Sequence, residues 1–113
     1  MQEHAHHPID YGMFIMPFHP PEKSPAQCYD EDLELIVMAE ELGFDEFWIG
    51  EHHTMKYENI VMPEIFIARA LGETRRIRLG PAPVCVQQHH PAFRDTKQNA
   101  RNAPVRKIAT NFP

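Results

Sequence analysis

The sequence has few of the features that mark a secreted, membrane-bound or phosphate-binding protein. No apolar run approaches the ~18 residues of a transmembrane helix, and the N-terminus lacks the basic and apolar regions of a secretory signal. No Gly-rich phosphate loop and no serine nucleophile elbow occur. The cysteines, Cys28 and Cys85, are too few for a disulfide framework, and their separation matches no zinc motif. We therefore expect a cytoplasmic protein with reduced thiols and no membrane association.

Basic residues are also scarce over most of the chain. Residues 1–93 carry six Lys or Arg against fifteen Asp or Glu, whereas residues 94–113 carry five against one. The acidic part argues against nucleic acid as a partner, because phosphate binding needs a concentrated basic face. The change of sign indicates a boundary. We expect a flexible leader over residues 1–9, a folded unit over residues 10–93 and a basic, disordered tail over residues 94–113.

Hydrophobic patterning predicts alternating strands and helices in the folded unit. The expected elements are strands over residues 11–16, 46–50 and 77–86 and helices over residues 30–42 and 64–71. The second strand is an unbroken apolar run, which is typical of a strand covered on both faces, so we expect Phe47 and Trp48 in the core. The order strand, helix, strand, helix, strand implies right-handed crossovers and a parallel α/β sheet.

The pattern of the first helix predicts its start, its end and its buried face. The carboxylate of Asp30 can cap free N–H groups of the first turn, and Gly43 is expected to end the helix. Apolar residues at i, i+3, i+4 and i+7 form the expected core face: Leu35, Met38, Ala39 and Leu42. The glutamates expected to face water are Glu34, Glu40 and Glu41. In the second helix, Pro63 suits the first turn and Gly72 marks the end.

Polar residues, above all histidines, follow each predicted strand. The groups are His19 after the first strand, Glu51, His52 and His53 after the second, and Gln87, Gln88, His89 and His90 after the third. The carboxyl ends of parallel strands lie at one edge of the sheet, where α/β proteins bind ligands. We therefore expect a shared site for acid–base or hydrogen-bonding work on an organic substrate or cofactor. The alternative is that these histidines only satisfy backbone groups at strand ends.

A metal site is a further interpretation of the same histidines. Imidazoles from three loops can converge on zinc. Adjacent histidines in extended backbone point to opposite sides, however, and no HxH or HExxH spacing occurs. The spacing therefore disfavours a metal site, and we expect no metal ligands.

Several separated strings resemble one known family. They are Tyr11-Gly12-Met13-Phe14, Ala39-Glu40-Glu41-Leu42-Gly43-Phe44-Asp45, Phe47-Trp48-Ile49-Gly50-Glu51-His52-His53, Arg76-Ile77-Arg78-Leu79-Gly80 and His89-His90-Pro91. In order and spacing they are similar to the N-terminal part of the bacterial luciferase-like flavin-dependent monooxygenases. The resemblance covers about residues 10–94.

The resemblance implies a fold and a reaction. The fold is the N-terminal β-α-β-α-β part of a TIM-type (β/α)₈ barrel, incomplete in this chain. The reaction is the oxygenation of a small organic substrate by O2 and reduced flavin, with FMN as a co-substrate or, in related branches, a deazaflavin. A separate flavin reductase would supply the reduced flavin.

The resemblance also assigns roles to residues. His52 corresponds to the family's catalytic histidine, His53 follows it in the active-site loop, and Glu51 is expected to contribute to cofactor binding. A neutral His52 imidazole can take a proton from a hydroxylic group or stabilise a peroxide by hydrogen bonding. A cis peptide is expected between Ala82 and Pro83, because X–Pro bonds lose most of the trans preference. The segment from Ala82 to Cys85 is expected along the flavin ring, with Ala82, Pro83 and Val84 as cofactor-binding residues.

The resemblance stops after His89-His90-Pro91. From Arg94 onward the sequence is basic and does not resemble the family, and the family's third helix and later strands do not follow. We expect a truncated fragment that is inactive by itself and that oligomerises or depends on a complementing fragment, because an open sheet keeps an exposed edge. The alternatives are a non-catalytic flavin-binding or interaction module and a small His-rich metal-binding protein.

Overall fold

The predicted alternation of strands and helices is present in the structure, a computed structural model that describes residues 9–90. Its elements are β1 (Gly12–Ile15), α1 (Pro25–Glu41), β2 (Glu46–Ile49), α2 (Pro63–Glu73) and β3 (Arg78–Pro81), followed by a 3₁₀ turn (Val86–Gln88). The expected tail over residues 94–113 and nearly all of the expected leader lie outside the described residues. Neither of the helices described has the length and hydropathy that a membrane span requires.

The three strands form a parallel sheet in the order β1-β2-β3, as the sequence predicts. Consecutive residues of a strand point to opposite faces, and Phe47 and Ile49 of β2 are both fully buried on the face that packs against the helices. Leu79 pairs with Phe47 in register and is buried beside it. The helices complete this core with Leu33, Ile36, Ala39, Phe66, Ile67 and Ala70.

The opposite face of the sheet carries Phe14, Trp48 and Gly80, which are aligned in register across the strands. The Trp48 ring lies over Gly80, where an added Cβ would come within 2.5 Å of a ring carbon. Phe14 remains 52% exposed and Trp48 is half-buried. The expectation that both residues are buried in the core therefore holds for Phe47 but not for Trp48, which faces the other side of the sheet and is only half-buried in the described residues.

Helix α1 begins earlier than its sequence pattern suggests. Ser24 caps it in a capping box, in which its hydroxyl accepts the Gln27 N–H and the Gln27 side chain accepts the Ser24 N–H. The prediction of Asp30 as the cap is wrong, because Pro25 already occupies the first turn. Gly43 does follow the helix, with the positive φ of 91° that favours glycine.

The buried face of α1 also differs from the predicted one. It consists of Cys28, Asp32, Leu33, Ile36 and Ala39. Leu35 is only half-buried, whereas Met38 and Leu42 are 52% and 71% exposed. The prediction followed the apolar side chains, but the structure places an acid and a cysteine on the inner face. Glu40, expected to face water, is instead bonded to the backbone before β3.

The end of α2 and the length of β3 require two smaller corrections. Gly72 lies inside α2, whose C-cap is Thr74, and the Thr74 hydroxyl donates to the Ala70 carbonyl. Strand β3 ends at Pro81 rather than near residue 86, and the Ala82–Pro83 peptide that follows it is cis. The cis peptide itself was predicted. Cys85 therefore lies in the loop after β3, beside the candidate site.

Candidate functional site

A buried carboxylate lies at the carboxyl end of β2 and joins the loops that follow β2 and β3. Glu51, two residues beyond the strand, is 1% exposed. Its Oε1 atom accepts hydrogen bonds from Nε2 of His53 at 2.7 Å and Nε2 of His89 at 2.5 Å. Its Oε2 atom accepts the backbone N–H of Cys85 at 3.2 Å. The structure thus bonds together polar residues that follow β2 and β3, two of the three predicted strand ends.

The protonation of this cluster follows from its contacts. Burial acts to raise the pKa of Glu51, but the hydrogen bonds from His53, Cys85 and His89 outweigh it and leave the pKa below its ordinary value. Burial raises the pKa of the Cys85 thiol, and the nearby Glu51 charge raises it further. Glu51 is therefore ionised at neutral pH, whereas Cys85 is a neutral thiol and a poor nucleophile.

His52 lies beside this cluster but does not bond to Glu51. Its Nδ1 atom lies 3.2 Å from the His53 carbonyl oxygen, and its Nε2 atom lies 3.6 Å from Oε2 of Glu58. Its backbone N–H donates to the Ile60 carbonyl at 3.1 Å. The next turn contains Thr54 at a φ of 58°, a strained backbone angle for a β-branched residue. The loop that carries the two histidines is thus joined to the segment before α2 by the backbone bond between His52 and Ile60.

The polar residue after β1 has a different partner. His19 is buried and its Nε2 atom bonds to Oδ2 of Asp32 on α1 at 3.0 Å. Burial raises the pKa of Asp32, and the hydrogen bond with His19 partly offsets this. Among the described residues, the His19 ring thus bonds to α1 and not to Glu51, while the His19 N–H donates to the Tyr57 carbonyl in the loop after β2. Gln87, Gln88 and His90 after β3 are exposed.

The residues expected along the flavin ring follow β3 directly. Ala82 and Val84 are half-buried, Pro83 is exposed, and the Ala82 N–H donates to the Ile49 carbonyl at 2.9 Å. This bond fixes the segment to the end of β2, and the bond from Cys85 to Glu51 fixes its other end. The segment presents a short apolar surface beside the carboxylate–imidazole cluster.

The cluster of Glu51, His53 and His89 can also be tested for a metal. The candidate ligand atoms lie within 4.8 Å of one another. Zinc bonds of about 2.0–2.1 Å in a tetrahedral site would separate two ligand atoms by roughly 3.4 Å. The nitrogen–oxygen distances of 2.5 and 2.7 Å are those of hydrogen bonds. The geometry therefore favours a hydrogen-bonded cluster over a metal site.

Two acidic residues near these loops were missed in the sequence. Glu58 is an isolated acid in a predicted loop, and nothing in the sequence separates it from the other glutamates. Asp32 did carry a signal: it is spaced at i, i+4 and i+8 with Cys28 and Ile36, the buried face of a helix that begins at Pro25. Because the predicted helix began at Asp30, Cys28 lay outside it and the spacing of Asp32 with Cys28 was not recognised.

Comparison with known proteins shows which family this chain is similar to. Residues 9–93 match the luciferase-like monooxygenase family. The chain is 43% identical over 83 residues to a 4-hydroxyprotoasukamycin monooxygenase of Streptomyces nodosus subsp. asukaensis, covering 74% of this chain and 22% of the relative. It is 41% identical over 83 residues to limonene 1,2-monooxygenase of Rhodococcus erythropolis, covering 74% of this chain and 21% of the relative.

A solved structure agrees with the fold. The oxygenating constituent of 3,6-diketocamphane monooxygenase from Pseudomonas putida, a type II Baeyer–Villiger monooxygenase in complex with FMN, superposes with a TM-score of 0.71. The identity is 31%, and the match covers 80% of this chain and 25% of that one. The chain thus spans about a fifth to a quarter of the length of these relatives. On the match over residues 9–93, the protein belongs to the luciferase-like monooxygenase family.

Proposed function

We propose that this chain contributes to a flavin-dependent monooxygenase in which reduced FMN and O2 oxygenate a small organic substrate. The observation that carries the proposal is the cluster of Glu51, His53 and His89 at the carboxyl ends of β2 and β3, with His52 beside it. Family membership supports the reaction class. The FMN in the diketocamphane relative favours FMN over a deazaflavin, which is the second candidate.

The fold that fits this function is the N-terminal β-α-β-α-β part of a TIM-type (β/α)₈ barrel. In such a barrel the sheet face with Phe14 and Trp48 would point to the interior. Strands β1 and β3 are the edges of the described sheet, and open edges attract further strands. We therefore propose that the chain self-associates or pairs with a complementing segment.

The residues present fit a flavin ring placed beside them. When bound, the reduced flavin supplies the electrons with which O2 is activated. The segment with Ala82, Pro83 and Val84 offers an apolar surface without charge. Glu51 contributes to binding by fixing His53 and His89, since both of its oxygens already accept hydrogen bonds from this chain. The catalytic roles belong to His52 and His53, whose rings hold or move protons at the edge of the site.

The partners follow from the reaction class. The names of the relatives point to limonene and diketocamphane, so we propose a small organic substrate of similar apolar character. A separate flavin reductase would supply reduced FMN. Cys28 and Cys85 are both free thiols in the structure, which fits a cytoplasmic location.

Flavin titration tests this function directly. Reduced FMN is added without oxygen to the 113-residue chain and binding is followed by flavin absorbance. Oxygen consumption and product formation are then measured with a terpene and a cyclic ketone. We expect His52→Ala to keep flavin binding and to lose any product formation that the unsubstituted chain supports. Glu34→Gln, an exposed substitution on α1, serves as the control.

The outcomes separate the alternatives. Binding with substrate-dependent oxygen consumption, by the chain alone or with a complementing segment, supports the monooxygenase. Binding without consumption in both cases supports a non-catalytic flavin-binding module. Zinc uptake without flavin binding supports the His-rich metal-binding protein. Unchanged product formation in His52→Ala would remove His52 from the reaction.

A further inference from the structure

We propose that residues 105–112 of this chain dock in a groove between α1 and α2, which has an apolar floor and an acidic rim. The proposal rests on the shape and charge of the groove and on the sequence of that segment, which lies outside the described residues. It rests on no part of the proposed monooxygenase function.

The groove between α1 and α2 has two parts. The part near the starts of the helices has a volume of about 470 Å³ and is lined mainly by apolar side chains, among them Leu33, Ile60 and Phe66. The second part, of about 500 Å³, continues toward the ends of both helices. The two parts share Asp30, Leu33 and Arg69, so they form one continuous groove.

Apolar side chains along this groove are open to solvent. Met38, Met62 and Ile65 line it and are each more than half exposed. Tyr29 is also exposed, although its ring packs against the Phe66 ring in the groove. Contiguous exposed apolar surface rimmed by polar residues is typical of a place where another segment binds.

The rim of the groove is acidic. Among the described residues, Asp30, Glu34, Glu41 and Glu73 line it with Arg69 as the one basic residue. Arg69 already bonds to Glu73, and the other acids form no ion pair within residues 9–90. Two copies that met groove to groove would bring these acids together, and like charges across an interface are unfavourable. The surface therefore fits a basic, apolar segment better than a second copy of itself.

The basic tail of the same chain contains a segment that matches this surface. The tail carries five Lys or Arg against one Asp. Within it, Arg106 and Lys107 lie between Val105 and Ile108, and Phe112 follows. The three apolar residues have the spacing i, i+3 and i+7, which places them on one face if the segment becomes helical on binding. A segment that is expected to be disordered by itself can thus order on an acidic surface.

The tail is long enough to reach the groove. In parallel β-α units the helices begin at the edge of the sheet where the strands end, so the start of the groove lies at the same edge as His90, the last described residue. Residues 91–104 can span up to about 50 Å when extended, whereas the 17 residues of α1 span about 25 Å. A short tether also gives a millimolar effective concentration, so weak contacts are enough for docking.

Methyl NMR of the full chain tests the docking without flavin. In a ¹³C-methyl-labelled sample at low salt, we expect NOE cross-peaks from the Val105 and Ile108 methyl groups to Met62 and Ile65. A mixture of labelled and unlabelled chains shows whether a contact joins two copies. Raising the salt from about 0.05 M to about 0.5 M should weaken the cross-peaks about twofold or more, because charges on the rim are screened.

Charge reversal tests whether the acidic rim selects the tail. Arg106→Glu combined with Lys107→Glu should weaken the cross-peaks about threefold or more, because the tail then meets like charge. Asp30→Lys combined with Glu34→Lys should do the same, and all four substitutions together should restore part of the loss. Glu22→Lys is the control, because Glu22 is exposed but does not line the groove. It should leave the cross-peaks unchanged.

Three outcomes would overturn the proposal. They are an unsubstituted chain without cross-peaks between tail and groove, cross-peaks that arise only between different copies, and cross-peaks that survive both charge reversals. The tail substitutions lie outside the described fold, so they test the docking even if the substitutions in α1 disturb the helix. Because no flavin is added, a negative result leaves the monooxygenase proposal standing, and failure to bind FMN would leave the docking standing.

Discussion

The Glu40 carboxylate offers a test of how the last turn of α1 is joined to β3. It accepts the backbone N–H groups of Arg75 at 2.9 Å, Arg76 at 2.6 Å and Ile77 at 2.7 Å. These three residues lead directly into β3. One side chain therefore satisfies three consecutive backbone donors that no strand or helix partner serves. Glu40→Ala removes all three bonds and leaves the neighbouring helix intact.

The magnitude follows from the kind of bond and its exposure. Hydrogen bonds to a charged group contribute about 1.5–3 kcal/mol each when well sheltered. Arg75 and Arg76 are exposed, so water can replace the bonds to their N–H groups, whereas Ile77 is fully buried. We expect Glu40→Ala to cost about 2–3 kcal/mol of unfolding free energy, or roughly 10–20 °C in Tm for a domain of this size. Glu40→Gln keeps one acceptor oxygen and should cost about half as much.

Urea unfolding followed by circular dichroism measures this cost. Glu41→Ala is the matched control, because it removes the adjacent, exposed glutamate from the same turn. That change should alter stability by less than about 0.5 kcal/mol, since surface substitutions away from special features are nearly neutral. If Glu40→Ala costs no more than Glu41→Ala, the carboxylate does not join α1 to β3 as the structure indicates.

Three further substitutions test the core, the helix cap and the buried carboxylate. Phe47→Ala removes a fully buried ring and should cost about 3–5 kcal/mol in urea unfolding; a cost near zero would place Phe47 outside the core. Ser24→Ala removes the cap of α1 and should cost about 1 kcal/mol, which Ser24→Asp should restore; an equal loss in both would contradict the capping role. The pKa of Glu51 is lowered on folding, so its ionised form contributes stability above its unfolded pKa that is lost as pH falls through the folded pKa. In acid unfolding, the difference in unfolding free energy between wild type and Glu51→Gln should therefore shrink as the pH falls from about 5 to about 3. A difference that widens over this range would contradict a lowered pKa of Glu51.

The sequence predicted well where the signal is local. The apolar runs of β1 and β2 and the residues Gly43 and Pro63 specify strands, a helix end and a helix start through backbone preferences that need no distant partner. The loop with Glu51, His52 and His53 was found because polar residues follow directly on a buried strand. The family resemblance rests on the same strings, and the match over residues 9–93 confirms it.

The sequence predicted poorly where a side chain's partner is distant along the chain. Glu40 and Glu41 are adjacent and identical in type, yet one bonds the backbone near β3 and the other is exposed. The partner of His19 is Asp32, which the assumed helix start had placed in the first turn rather than on the buried face of the helix. Charge and hydropathy are properties of a single residue. They therefore do not indicate which of two glutamates accepts a hydrogen bond from an N–H group that is distant along the chain.

By itself, the sequence determined the α/β class, the order of strands and helices, the family, and the positions of His52 and His53 after the second strand. These follow from short-range patterning and from strings that keep their spacing. Only the tertiary structure decided that Glu51 accepts hydrogen bonds from both His53 and His89 and that His19 bonds to Asp32 on α1. It also decided that Glu58 lies beside His52. The physical reason is that the energy of a buried charge depends on the donors that folding brings to it, and those donors lie up to 38 residues away.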